Sequence, residues 1–106
     1  MPKSITQIID LVCECLNVDS TKLTKRDTPC QDCIDARHII IYFTKELTEL
    51  THAEIALYFN RKLANGKGDH AASIYAYRLT LNLIKVDKHF REKYTKVKEK
   101  IDNLAQ

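Results

Sequence analysis

The chain has few residues that break helices, and it has no apolar run long enough to cross a membrane. Only two glycines and two prolines occur among its 106 residues, while 44% of the residues are hydrophobic and 29% are charged. This composition is typical of a compact, mostly helical protein and argues against disorder except at the ends. A membrane span takes about 20 consecutive apolar residues, and the N-terminal segment lacks the charged start and cleavage site of a signal peptide. We therefore expect a cytoplasmic protein without a membrane partner.

Motifs for catalysis and nucleotide hydrolysis are missing as well. No G-x-x-x-x-G-K-[ST] segment occurs in the chain, so we expect no nucleotide hydrolysis. The four histidines are scattered, and no serine or cysteine has a base at a spacing typical of a nucleophilic enzyme. The sequence predicts a protein that is not an enzyme, with no cofactor and no small-molecule substrate.

Length and hydrophobic pattern predict one all-α domain of about five helices over residues 1–106. A chain of this length has room for a single core, and it contains no internal repeat, low-complexity segment or strand alternation. Helix starts are predicted where a capping residue precedes apolar residues at helical spacing, and these caps are Ser4, Thr28 (followed by Pro29), Thr51, Asp69 and Asp87. The predicted inward stripes of the last two helices are Ile74, Tyr77, Leu81 and Ile84, then Phe90, Tyr94, Val97, Ile101 and Leu104.

The segment from Thr51 to Ala76 has the order of a helix-turn-helix. Thr51-His52-Ala53-Glu54 is a capping box, and the inward face of the helix that follows it consists of Ile55, Ala56 and Phe59. A second helix begins after Gly68, and Asp69 is well suited to cap it. We expect its first turn to expose His70, Ala71 and Ser73. In helix-turn-helix proteins this first turn contacts base edges, so the motif predicts a double-stranded DNA-binding protein.

The net charge of +3 is modest for a nucleic-acid binder, so the position of the cations carries more weight than their sum. One group lies in a polar connection and consists of Lys22, Lys25 and Arg26. A second lies in the turn of the motif and consists of Arg61, Lys62 and Lys67. We expect both groups to flank the second helix of the motif. The cations of the last helix alternate with acidic residues and are interpreted as a solvated face.

Four segments, in the same order, resemble the C-terminal DNA-binding domain, domain IV, of the bacterial replication initiator DnaA. Residues 36–43 (A-R-H-I-I-I-Y-F) resemble that family's A-R-Q-I-A-M-Y-L, and residues 45–48 (K-E-L-T) are similar to its K-E-L-T. Residues 51–56 stand where the family has S-L-x-E-I-G. Residues 69–76 (D-H-A-A-S-I-Y-A) parallel its D-H-[ST]-T-V-L-H-A.

The resemblance implies a Trp-repressor-like helix-turn-helix that binds a nine-base-pair DNA box, and it implies other replication proteins as partners. The second helix of the motif would enter the major groove, where Asp69 and His70 match the base-reading pair. Lys25 or Arg26 would correspond to an arginine that enters the minor groove, and Arg37 would both pack and contact phosphate. The predicted DNA-binding residues are therefore Lys25, Arg26, Arg61, Lys62, Lys67, Asp69, His70, Ala71 and Ser73.

The chain also departs from the family's pattern within the motif. Gly68 stands where the family has an arginine, and Ala71 and Ala72 stand where it has hydroxyl residues. Between Phe59 and Asp69 the chain carries about six residues more than the family, which has a tight Gly-Gly turn there. A bidentate contact to a base is worth about 1–3 kcal/mol of discrimination, so these losses should weaken or change the sequence preference. The alternative is a protein-interaction module that kept the fold and lost base contacts; the chain is either a stand-alone relative or a piece of a longer protein.

The four cysteines form the pairs Cys13-Glu14-Cys15 and Cys30-Gln31-Asp32-Cys33, which together contain enough sulfur for a tetrahedral zinc site. Cys13 and Cys15, however, are two residues apart on a helix and point to roughly opposite faces. Buried, reduced thiols are the simpler interpretation, so no metal site is predicted. The C-x-x-C segment could also be a redox pair, but it lacks a βαβ context.

Overall fold

Five α-helices make up most of the computed structural model, which describes residues 4–24 and 30–104. They are α1 (Ile5–Leu16), α2 (Gln31–Leu47), α3 (His52–Tyr58), α4 (His70–Val86) and α5 (Lys88–Leu104), with a short 3-10 turn at Ser20–Lys22. Those two ranges contain no strand beyond one isolated bridge, and none of their helices is long and apolar enough to cross a membrane. The predicted all-α class is confirmed.

Most helix starts lie where the capping rules put them. Four predicted caps accept backbone N–H groups through their side chains: Ser4 from Gln7, Thr51 from Glu54, Asp69 from Ala71 and Asp87 from Phe90. The start of α2 differs from the prediction, because the helix begins at Gln31 and is capped by the Cys30 sulfur. Thr28 and Pro29, which suggested an earlier start, lie outside the described residues.

The core surrounds α2, which packs against α1, α3 and α4, while α5 packs across α1 and α4. Side chains of α1, α2, α3 and α5, together with Phe59 directly after α3, are almost completely buried there: Ile8, Val12, Ile39, Ile40, Ile55, Phe59, Phe90 and Val97. The inward stripe predicted for α4 is partly wrong, because Leu81 is 40% exposed. The same correction applies in α5 to Leu104, which is 56% exposed near the end of that helix.

The true inner face of α4 is made of small residues, namely Ser73, Ala76 and Thr80. They bring α4 close to α2, since the Thr80 hydroxyl donates a hydrogen bond either to the Ala76 carbonyl at 2.8 Å or to the His38 carbonyl of α2 at 3.1 Å. Small side chains therefore bring the two helices close together, and of the predicted stripe Tyr77 stacks on Tyr42 of α2 and Ile84 packs against the core.

An ion pair that the sequence did not reveal joins α2 to α5. Lys93 Nζ lies 2.7 Å from both Asp32 Oδ1 and Asp35 Oδ2, and Asp35 is buried. Desolvation opposes the Lys93 ammonium, but its hydrogen bonds to Asp32 and Asp35 outweigh this effect and raise its pKa. The pair compensates the charge of a carboxylate that would otherwise be buried alone.

Candidate nucleic-acid interface

The helix-turn-helix consists of α3, the connection through residues 59–69, and α4. The capping box of α3 is complete, because Thr51 Oγ1 accepts from the Glu54 N–H at 3.2 Å and Glu54 Oε1 accepts from the Thr51 N–H at 3.0 Å. Asp69 Oδ1 accepts from the Ala71 N–H at 3.2 Å and so starts α4. Both helix starts of the motif therefore have the geometry that the sequence predicted.

The outward face of α4 begins at its first turn. His70 and Ala71 are exposed there, and they share a shallow surface depression with Ile74, Tyr75, Arg78 and Leu79. Tyr75 is 66% exposed. This face joins a polar first turn to an aromatic residue and a cation one and two turns further along the helix.

Arg78 belongs to this face and was missed by the sequence reasoning. It is exposed, and it follows Ala71 by seven residues, a spacing that returns to nearly the same side of an α-helix. The period of α4, counted from Ala71, could have identified it. Tyr77, in contrast to Tyr75, is half-buried, and its hydroxyl donates to Glu46 of α2.

The structure corrects the expectation for Ser73. Its side chain is 1% exposed, and its Oγ lies 2.8 Å from Nδ1 of His52 on α3. The reason is the helix period, because Ser73 shares the inner face of α4 with Ala76 and Thr80. Burial and the neighbouring cation Lys45 lower the pKa of His52. Ser73 therefore helps to join α3 to α4 and is not exposed for contact with a ligand.

The connection between α3 and α4 is a small hairpin, which we call the inter-helix hairpin (residues 61–69). Leu63 N–H donates to the Lys67 carbonyl at 2.8 Å, and Asp69 N–H donates to the Arg61 carbonyl at 2.9 Å. Gly66, at a φ of 84°, forms the tight end. The residues that exceed the family's pattern thus form an ordered hairpin whose last hydrogen bond includes the cap of α4.

Gly68 explains one departure from the family's pattern. A Cβ atom at this position would lie 1.8 Å from the carbonyl oxygen of Ala53, in the first turn of α3. The hairpin backbone therefore lies directly against α3, and a side chain at position 68 fits only if the hairpin moves away from α3. An arginine before the Asp-His pair is incompatible with this packing.

Cations lie on the inter-helix hairpin that leads into α4 and on the neighbouring helix α2. Lys62 and Lys67 are exposed on the inter-helix hairpin, and Arg61 at its base is half-buried. Arg37 of α2 donates from Nη1 to the Leu23 carbonyl at 3.0 Å, and its pKa is lowered by burial and then by the nearby Arg61. The two guanidinium groups therefore lie close enough to repel each other.

Arg37 and Arg61 line a small cavity beside α4 together with His38, Ser73, Tyr75 and Ala76. His38 Nδ1 is buried without a hydrogen-bond partner among the described residues. Burial, followed by the charge of Arg37, lowers the pKa of His38. Two cationic side chains therefore line this cavity.

The two cations predicted for the minor groove, Lys25 and Arg26, lie outside the described residues. The connection that leads to them is anchored at Leu23, which is 2% exposed and whose carbonyl accepts the bond from Arg37. Their role stays a prediction.

The cysteines form no disulfide, and only Cys13 and Cys33 are buried. Across residues 4–24 and 30–104, no three His, Cys, Asp or Glu side chains are grouped as metal ligands. The expectation of buried thiols is therefore correct for two of the four cysteines.

A comparison with known families agrees with this geometry. The family model described as "Bacterial dnaA protein helix-turn-helix" matches residues 5–80, which include α1 to α3 and most of α4. The chain belongs to this DnaA helix-turn-helix family. Membership supports a DNA-binding domain, and the family is defined by a helix-turn-helix and not by a catalytic activity. It does not favour a protein-interaction module without DNA contacts.

Curated relatives carry the same name. The chain is 31% identical over 98 residues to the chromosomal replication initiator protein DnaA of Campylobacter jejuni subsp. jejuni serotype O:23/36 (strain 81-176). The same identity and length apply to the DnaA protein of Campylobacter concisus (strain 13826). In both cases the match covers 92% of this chain but 21% of the relative, so the chain spans about a fifth of the length of these initiators.

Proposed function

We propose that this DnaA-family domain binds double-stranded DNA sequence-specifically, with the first turn of α4 in the major groove, and that it serves in replication initiation. The observation that carries the proposal is the exposure of His70 and Ala71 at the capped start of α4, beside a hairpin that bears cations. The major groove is wide enough to admit an α-helix, and the N-terminal residues of such a helix contact base edges.

Three side chains supply the proposed base contacts. The His70 imidazole can exchange hydrogen bonds with base edges, and the Ala71 methyl group can contact the methyl group of thymine. Asp69 uses Oδ1 for the Ala71 N–H, and its Oδ2 is the proposed acceptor for cytosine N4. Because Gly68, Ala71 and Ala72 offer no polar side chain, we expect a sequence preference different from that of the family's nine-base-pair box.

A second set of residues is proposed to hold the DNA backbone. Such contacts set the position of the protein without reporting sequence. On the inter-helix hairpin they are Arg61, Lys62 and Lys67, on α4 they are Tyr75 and Arg78, and on α2 the residue is Arg37. Lys25 and Arg26 complete the proposal at the minor groove.

Base contacts are tested by selecting bound sequences from a random duplex pool and then measuring affinities by fluorescence polarisation. His70→Ala should reduce the preference for selected over random DNA more than it reduces the affinity for random DNA, because it removes a base contact. His89→Ala is the matched control, since His89 is also an exposed histidine in the first turn of a helix. An equal loss on both DNAs would contradict the role of His70.

Backbone contacts are tested through salt dependence. Each phosphate contact adds about 0.9 to the slope of log K against log salt for duplex DNA, so Lys62→Ala and Lys67→Ala should each lower the slope by roughly that amount. Lys96→Ala, an exposed cation of α5, should leave it unchanged. No binding of random duplex DNA at low salt would refute the proposed function as a whole.

A further inference from the structure

Cys30 and Cys33 occupy the start of α2 in an arrangement that the DNA-binding surface does not use. Cys30 is the N-cap, and its Sγ accepts the Cys33 N–H at 3.3 Å. Caps are usually hydroxyl, carboxylate or amide side chains, so a sulfur in this position is unusual. Cys33 is 4% exposed and faces the core, while Cys30 is half-buried.

The two sulfurs are close enough to be joined. Residues three apart on a helix have Cβ atoms about 5–6 Å apart, and a disulfide needs Cβ atoms at about 3.5–4.5 Å. The capping bond already turns the Cys30 sulfur towards Cys33, because this sulfur accepts the Cys33 backbone N–H at 3.3 Å. We therefore expect that an adjustment confined to the first turn can bring the two sulfurs together.

We propose that Cys30 and Cys33 form a redox-active dithiol that exchanges with low-molecular-weight disulfides, with Cys30 as the attacking sulfur and Cys33 as the resolving sulfur. The inference is independent of DNA binding, since neither cysteine belongs to the proposed DNA-contacting residues.

The environment of the pair supports this division of roles. Hydrogen bonds from the Cys33 side chain and from its backbone N–H lower the pKa of Cys30. The same side-chain bond, followed by burial, raises the pKa of Cys33. A cysteine at a helix N-terminus in a C-x-x-C segment is the kind that reacts as a thiolate, whereas a buried thiol does not.

The reaction balances in two exchange steps. The Cys30 thiolate attacks one sulfur of the small disulfide, which forms a mixed disulfide on Cys30 and releases one small thiolate. Cys33 then loses its proton and attacks the Cys30 sulfur, so that the Cys30–Cys33 disulfide forms and a second small thiolate leaves. The protein loses two electrons and two protons, and the small disulfide is reduced to two thiols.

The remaining cysteines provide internal comparisons. Cys13 is 8% exposed, and burial, with smaller effects from Asp10 and other neighbours, raises its pKa to about 11. Cys15, in the last turn of α1, is half-buried and caps no helix. Cys15 therefore matches Cys30 in partial exposure but lacks its capping position and its partner sulfur.

The test treats the reduced 106-residue chain with oxidised glutathione and follows each cysteine by acid quenching, alkylation and peptide mass spectrometry. We expect a Cys30–Cys33 disulfide in the unaltered chain and a stable glutathione adduct on Cys30 in Cys33→Ala. In Cys30→Ser, oxidised glutathione should react with Cys33 at least about tenfold more slowly than it reacts with Cys30 in the unaltered chain, because the substitution removes the thiolate. The variant should remain folded, because serine is a good N-cap. Cys15→Ser should not change the reaction at this pair.

Circular dichroism confirms that each variant is folded before its rate is compared. Two results would overturn the proposal: reaction of Cys30 no faster than that of Cys15, or a glutathione adduct that persists on Cys30 while Cys33 is present. Because no DNA enters the experiment, its failure is distinguishable from failure of the proposed DNA binding.

Discussion

Replacing Gly68 with alanine should destabilise the domain far more than any other single methyl group added to the inter-helix hairpin. The added Cβ would lie 1.8 Å from the Ala53 carbonyl oxygen and 2.6 Å from its carbonyl carbon. An ordinary C···O contact is about 3.3 Å, so the hairpin and α3 would have to separate by roughly 1.5 Å. The obstructing atoms are backbone, so a change of side-chain rotamer cannot relieve the clash.

The size of the effect follows from where Ala53 lies. Overpacking a well-packed site costs about 1–3 kcal/mol, and Ala53 is inside the first turn of α3, which the complete capping box holds in place. We therefore expect the upper end of that range, about 3 kcal/mol. One kcal/mol shifts Tm by about 4–8 °C in a domain of this size, so Tm should fall by roughly 15 °C.

Gly66→Ala is the matched control, because it makes the same chemical change two residues away in the same hairpin. Gly66 has a φ of 84° and nothing within 4 Å of an added Cβ, so the cost is limited to backbone strain of about 1 kcal/mol. Urea unfolding followed by circular dichroism measures both variants. If Gly68→Ala is as stable as Gly66→Ala, the close packing of hairpin and α3 is wrong.

The same reasoning predicts the outcome of restoring the family's arginine. Gly68→Arg carries the same Cβ and should be at least as destabilised as Gly68→Ala. Recovery of a base contact by this single substitution is therefore not expected, and the hairpin would have to be shortened as well.

Three further predictions concern other parts of the domain. Lys93→Met should lower the free energy of unfolding by about 2 kcal/mol in urea unfolding. This is less than the roughly 3–5 kcal/mol typical of a fully buried pair, because the Lys93 side chain is 23% exposed. Lys98→Met, which breaks an exposed pair on the same helix, should cost about 0.5 kcal/mol or less in the same assay. Stability should fall as the pH drops from about 7.5 to about 5.5, because burial lowers the pKa of His38 and the unfolded chain therefore takes up a proton that the folded chain does not. His38→Gln should reduce this pH dependence when urea unfolding is measured at both pH values. An unchanged dependence would exclude His38 as its source. Tyr75→Phe should weaken binding to all duplex sequences about fivefold, through loss of one hydrogen bond, without changing Tm. Tyr77→Phe, which removes the bond to α2, should lower Tm and leave the affinity for DNA unchanged. The reverse pattern would contradict the assignment of Tyr75 to DNA binding and of Tyr77 to the fold.

Features that depend on neighbours in sequence were predictable. The caps Ser4, Thr51, Asp69 and Asp87 were correct because capping involves residues two or three apart. The start of α2 was not, because Cys30 is not a usual capping residue and the rules preferred an earlier threonine.

Features that depend on packing between helices were less accessible. Ser73 and Leu81 were assigned to the wrong faces of α4, because its apolar residues did not reveal that the inner face is formed by small side chains. The ion pair of Asp35 and Lys93 joins residues 58 positions apart, and no local pattern predicts such a partner. Arg78, in contrast, could have been found from the helical period alone.

The inter-helix hairpin makes the arrangement of α3 and α4 independent of the residues at its tip. Its base is closed by the bond from Asp69 to Arg61, and the next rung joins Leu63 to Lys67, so these two rungs hold the register of α3 against α4. The exposed residues 64–66 lie beyond both rungs. Natural variation can therefore be accepted at the tip while the start of α4 keeps its orientation.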